Sequence, residues 1–164
     1  MRPAPLALVA ACLLNAFAAF YVWMATPLAA FAHARGSAGD AASERLDFFG
    51  SWAGLALLFA GIAVGYRFLL PRLPVGSINM PNKELWLAPE HREATLVELA
   101  DLMFWLMALA SLFDLALHLS LYAANVRQTM QMGSTIFYDS MVLDVGILAV
   151  IVRYLVRWSN PPER

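Results

Sequence analysis

The sequence predicts an all-α fold, a four-helix transmembrane bundle, and three observations point there. Of 164 residues, 61% are hydrophobic and only 14% charged, where soluble domains carry about 25% charged residues. The apolar residues gather into four blocks, each about 20 residues or longer, which is the length that crosses a hydrocarbon core of about 30 Å. Short segments holding most of the charge separate the blocks. One integral membrane domain covering residues 1–164 accounts for all three.

The first span is expected over about 6–30, in an apolar block reaching Ala32 with only Asn15 and Thr26 as polar interruptions. Ala30-Phe31-Ala32 resembles a signal-peptidase site. Signal h-regions are only about 7–15 residues, however, and this block is much longer, so an uncleaved span is preferred. Cys12 lies inside it; a lone cysteine forms no intramolecular disulfide and no C-x-x-C site, and it reads as a small buried hydrophobe. The second span is expected over 48–70. There Gly50, Gly54, Gly61 and Gly65 share one face as two G-x-x-x-G pairs, a spacing that lets membrane helices approach closely. The third span is expected over 102–124 and the fourth over 136–158, the latter carrying Asp139 and Asp144.

Lys and Arg near the span ends set the direction. Eight fall at the N-terminus, in and beside the second loop, and at the C-terminus; three (Arg35, Arg45 and Arg127) fall in the first and third loops. Both termini are therefore expected in the cytoplasm of a bacterial inner membrane, with loops 33–47 and 125–135 outside. Twelve acids against eleven bases leave a net charge of −1, which excludes a basic nucleic-acid surface.

Residues 71–101 are the least membrane-like. Pro71, Pro74, Gly76, Pro81 and Pro89 prevent a long regular element before residue 89. Pro89 suits a helix's first turn, with Glu90 and Glu93 near its positive end. That helix is expected to run directly into the third span, giving a cytoplasmic loop-plus-helix between spans two and three. Trp86 is placed to anchor the turn at headgroup level. Asn82, Lys83, Trp86, Pro89, Glu90 and Arg92 form either a cytoplasmic docking motif or, as preferred, a turn that starts and anchors the helix.

The run from Asn79 to Thr95 reads N-M-P-N-K-E-L-W-L-A-P-E-H-R-E-A-T. It resembles the cytoplasmic signature of an uncharacterised family of small bacterial membrane proteins, itself similar to the N-terminal membrane domain of SdpI-type immunity proteins. The family pattern P-N-K-x-Y-W-L-A-P-E-R-R differs here at Leu85 and His91. A histidine in the next span followed by Ala-Asn is matched by His118 and Ala124-Asn125, and an outer-loop pattern is echoed by His33, Gly36, Asp40 and Ser43. The resemblance spans roughly residues 25–125. It implies a multi-pass fold and membrane location, and it brings no catalytic residues.

On the third span Ser111, Asp114, His118 and Asn125 form one polar stripe, flanked by Tyr122. Each ionisable group there is costly in hydrocarbon, so the stripe should face the bundle interior. At about 1.5 Å per residue Asp114 lies near mid-membrane, with Asn15 at a similar depth, while His118 and Asp144 lie roughly 8–10 Å below the outer boundary. Asp144 is therefore expected to approach His118. Three uses fit: a helix-pinning contact, which is preferred; a proton or ion path; or a metal held by Asp114, His118 and Asp144. Two-His haem ligation is excluded, since His33 and His91 flank opposite faces of the membrane. The His33 loop, with Asp40, Glu44 and Asp47, reads as solvated rather than as a cation site.

No phosphate-binding glycine loop, G-x-S-x-G or H-E-x-x-H occurs. No cofactor and no enzyme activity are expected. The leading expectation is an accessory subunit or a sensor or immunity-like protein acting through helix contacts. Its partners would be lipid and other membrane chains or further copies of itself. The alternative is a small proton- or ion-coupled transporter, and an intramembrane metalloenzyme ranks third.

Overall fold

The computed structural model describes residues 2–26, 41–126 and 135–160, with the side chains of 41, 42, 44, 125, 126, 135–137 and 139 also outside the description. Those residues form α1 (Pro3–Ala25), α2 (Ala41–Leu69), the short α3 (Lys83–Trp86), α4 (Arg92–Val126) and α5 (Thr135–Ser159). Helices 3–25, 45–72 and 92–124 are long and apolar enough to cross a membrane. α5 has the length, but Asp144, Arg153 and Arg157 interrupt its apolar run.

Local chemistry sets the boundaries. α1 begins with Pro in its first turn, where the missing N–H costs nothing. It ends at Ala25 rather than near residue 30: Thr26 is extended, as suits a residue preceding proline (Pro27). Arg45 donates to the Trp23 carbonyl and stacks 3.8 Å over the Trp23 ring, so a cation of α2 satisfies a C-terminal carbonyl of α1. α4 is one continuous helix of 35 residues, about 52 Å long at about 1.5 Å per residue. That is longer than a hydrocarbon core of about 30 Å, so the helix has more residues than one crossing needs. Pro89 lies in the turn before that helix, where Ala88 O accepts from the amides of His91 and Arg92.

α4 is the common partner, packing against α1, α2 and α5. Its faces are divided. Ala108, Ser111, Asp114 and His118 are buried on the side of α1 and α2. Leu109, Leu112, Phe113 and Ala116, about half a turn round, meet Val142 and Leu143 of α5. Leu8, Ala63 and Ala108 form the seam of α1, α2 and α4, small residues allowing close approach. Cys12 packs beside them.

Both described ends of the chain lie at one end of the helices. Arg2 pairs with Asp101 near the start of α4 at 3.1 Å, and Trp158 of α5 donates to Glu98 at 3.3 Å. A second core sits there, built from Leu70, Ile78, Met80, Trp86, Leu87, Leu96, Leu99 and Trp158.

The glycine expectation needs correcting. A Cβ at Gly50, Gly54, Gly61 or Gly65 would meet nothing within 4 Å, so among the described residues no helix packs on that stripe. It lies about half a turn from Trp52 and Ala63, the buried residues of α2. The close glycine contact is instead at Gly146, where a Cβ would stand 3.4 Å from Leu109.

Candidate functional site

A buried polar cluster joins α1, α2 and α4. Asn15 of α1, 1% exposed, donates through Nδ2 to the Ser111 carbonyl at 2.7 Å and to Ser111 Oγ at 2.9 Å. Its Oδ1 accepts from Trp52 Nε1 at 2.7 Å. One amide thus connects three helices, and the polar edge of Trp52 is satisfied.

The other face of Trp52 reaches His118. The rings stack with centroids 5.0 Å apart and 7° between planes, and Phe48 closes edge-on at 5.4 Å. His118 Nδ1 lies 3.0 Å from the Asp114 carbonyl and also 3.0 Å from Asp114 Oδ1. The carbonyl is the aligned acceptor. The carboxylate contact is close but off the hydrogen-bond line, so both Asp114 oxygens are buried without a hydrogen-bond partner.

The ring's surroundings constrain its protons. Nδ1 faces an oxygen that can only accept. Nε2 lies 3.4 Å from Ser51 Oγ, whose own proton is directed to Phe48 O at 2.8 Å. Both ring nitrogens therefore face oxygens, the Asp114 carbonyl on one side and Ser51 Oγ on the other.

Sequence reasoning placed Asp114, His118 and Ser111 correctly on one buried stripe. The side chain of Asn125 lies outside the described residues, as do His33, Gly36 and Asp40. Asp144 does not join the stripe: it is exposed. α5 packs on the opposite side of α4 from His118, so matching depth does not bring the two residues to one face. The metal trio fails with it, since among the described residues no three candidate ligands converge. Trp52, Phe48 and Ser51 were missed. Trp52 stands only four residues into the expected second span, where a Trp reads as an ordinary interfacial anchor.

The signature around Trp86 serves the structure rather than standing free. Trp86 is 4% exposed and donates to the Trp158 carbonyl at 2.7 Å. Asn82 donates to the same carbonyl at 3.2 Å and to Ser159 O at 3.5 Å. The α5 C-terminal carbonyls, orphaned by the end of their helix, thereby gain two external donors. Asn82 does this from a left-handed backbone, φ 50°, which Asn tolerates better than most residues. Thr95 Oγ ties the turn back to Trp86 O at 2.8 Å, and Arg157 covers the Trp86 ring at 4.8 Å. Lys83 is half-buried at the start of α3, and Pro89 and Glu90 are exposed in the turn.

Compared with known proteins, the chain matches no family model, no curated protein and no solved structure.

Proposed function

We propose that the chain is a multi-pass protein of a bacterial cytoplasmic membrane. It crosses four times with both termini inside, and it acts through helix contacts as an accessory subunit or a sensor or immunity-like protein. Three membrane-length helices and the gathering of Arg2, Arg67, Arg72, Lys83, Arg92, Arg153 and Arg157 toward one end support the location. α5, at 25 residues, is long enough for the fourth crossing. The W-L-A-P-E run supports kinship with small SdpI-like membrane proteins.

The observation that carries the reading is the open glycine stripe of α2. Gly50, Gly54 and Gly61 are exposed, flanked by exposed Leu57, Val64 and Phe68, and a Cβ at each glycine meets nothing. Glycine costs a helix about 1 kcal/mol relative to alanine. Four on one outward face suit close approach by a helix of another chain. Purification in mild detergent should retain a stoichiometric partner chain or a second copy. Gly54→Ile should release it while Gly54→Ala, folded alike, releases less. A lone monomer from both wild type and Gly54→Ile would overturn the reading.

A second reading, a small proton- or ion-coupled transporter, is favoured by the unpartnered Asp114 carboxylate beside His118. If that reading holds, Asp114→Asn folds normally yet loses pH-dependent flux in proteoliposomes. Loss of folded protein in both Asp114→Asn and His118→Asn assigns the pair to helix pinning instead.

A further inference from the structure

A cavity of about 490 Å³ opens between the end of α2 and the start of α4, lined by Arg67, Arg92, Glu93, Pro71, Leu96 and Val97 among others. Arg67 stands in the last turn of α2 and is exposed. Among the described residues neither arginine has a carboxylate within ion-pair range. Arg92 Nε is buried with no hydrogen-bond partner. Its Nη2 makes only a 3.4 Å contact with Pro71 O. Two guanidinium groups from different helices therefore line one cavity with donors to spare.

We infer that this cavity binds a phosphate group through Arg67 and Arg92. A guanidinium matches phosphate oxygens with two parallel N–H donors, and the Nη groups of Arg67 and Arg92 are the donors available to one. The cavity adjoins the N-terminus of a 35-residue helix, whose positive dipole end favours an anion. Glu93 also lines it, so the local charge is one positive: two arginines less one carboxylate. A phosphodiester carries one negative charge and balances it. The walls supplied by Leu96, Val97 and Pro71 are apolar, which suits the glycerol and first acyl carbons attached to such a phosphate. Helices 45–72 and 92–124 both have membrane-spanning length and apolarity, and the two arginines sit at their adjoining ends. The inference rests on the membrane reading for the lipid source alone; a free phosphate would use the same donors.

The test is native mass spectrometry of the full chain in mild detergent, titrated with dioleoyl phosphatidylglycerol, dioleoyl phosphatidylcholine or inorganic phosphate. One saturable phosphatidylglycerol is expected. Arg67→Gln and Arg92→Gln should each weaken it about tenfold, as loss of a charged hydrogen-bonding partner does. Arg72→Gln should not, because Arg72 is turned to the Phe68 carbonyl and does not line the cavity. Binding of the lipid undisturbed by millimolar phosphate assigns a lipid headgroup. Binding of phosphate itself, sensitive to the same two substitutions, assigns a free phosphate. Arg67 makes no described internal contact, so Arg67→Gln should fold as wild type. Wild-type affinity for both probes in that variant, or no binding of either by the wild type, overturns the site. Loss of the partner chain on Gly54→Ile tests the helix-contact reading separately and leaves this result untouched.

Discussion

The Asn15–Trp52 hydrogen bond is the sharpest place to test how α1 is held. α1 presents a narrow buried line, Ala4, Leu8, Ala11, Asn15 and Val22, while Leu13, Phe17, Phe20 and Met24 face outward. In a bilayer the outward residues supply no hydrophobic drive toward α4, because lipid is as apolar as they are. Specific contacts must then fix the helix, and Asn15 makes three of them beyond α1. A polar contact between membrane helices contributes about 0.6 kcal/mol on average and at most about 1.7. A buried donor left unpartnered adds roughly 1–3 kcal/mol. Asn15→Leu keeps the γ-branched shape at a larger volume, removes all three bonds and strands the Trp52 indole N–H. It should therefore destabilise by about 2–4 kcal/mol.

Trp52→Phe separates the parts. It deletes the N–H, keeps an aromatic ring against His118 and leaves Asn15 Oδ1 without its donor, so it should cost about 1–3 kcal/mol. In Asn15→Leu/Trp52→Phe no stranded indole remains, and the double variant should be less destabilised than the sum by about 1–2 kcal/mol. Reversible unfolding in mixed micelles, followed by far-ultraviolet circular dichroism, measures all three. An Asn15→Leu variant within about 0.5 kcal/mol of wild type, the usual range of an inconsequential substitution, would refute the argument that polar contacts hold α1. Strict additivity in the cycle would show that Trp52 and Asn15 do not act through their shared bond.

Trp86→Phe should leave the helix content near wild type but loosen the end of α5, because the Trp158 carbonyl loses its 2.7 Å donor. Hydrogen exchange at residues 155–159 should accelerate about tenfold if the cap contributes about 1.4 kcal/mol, and unchanged protection would sink the assignment. Gly146→Val should push against Leu109, already 3.4 Å from the position of a Cβ. Overpacking of that kind costs about 1–3 kcal/mol, read as a lower unfolding temperature in detergent. An unchanged unfolding temperature would mean that α5 does not seat at Gly146.

That the chain forms long apolar helices was legible in the sequence because apolar length is a property of the chain alone, although the end of α1 at Ala25 was set by the residue before Pro27. The lateral arrangement of the helices was not. Asp144 shows why. Its depth follows from counting residues, and that count set it level with His118. Whether two residues at one depth meet depends on which face of α4 receives α5. That choice is made by Leu109, Phe113 and Ala116 packing against α5 residues such as Leu143 and Gly146, and no apolar periodicity distinguishes those residues from lipid-facing ones. The glycines of α2 show the same gap from the other side. G-x-x-x-G marks a surface fit for close approach without saying which helix approaches, and among the described residues none does. The buried stripe on α4 was readable because charge in hydrocarbon has few places to go. Its true neighbours, Trp52 and Ser51, carry no formal charge, and among so many apolar residues their role became visible only when α2 and α4 were brought together. A polar residue inside a span therefore predicts that a contact exists; the partner has to be found by packing.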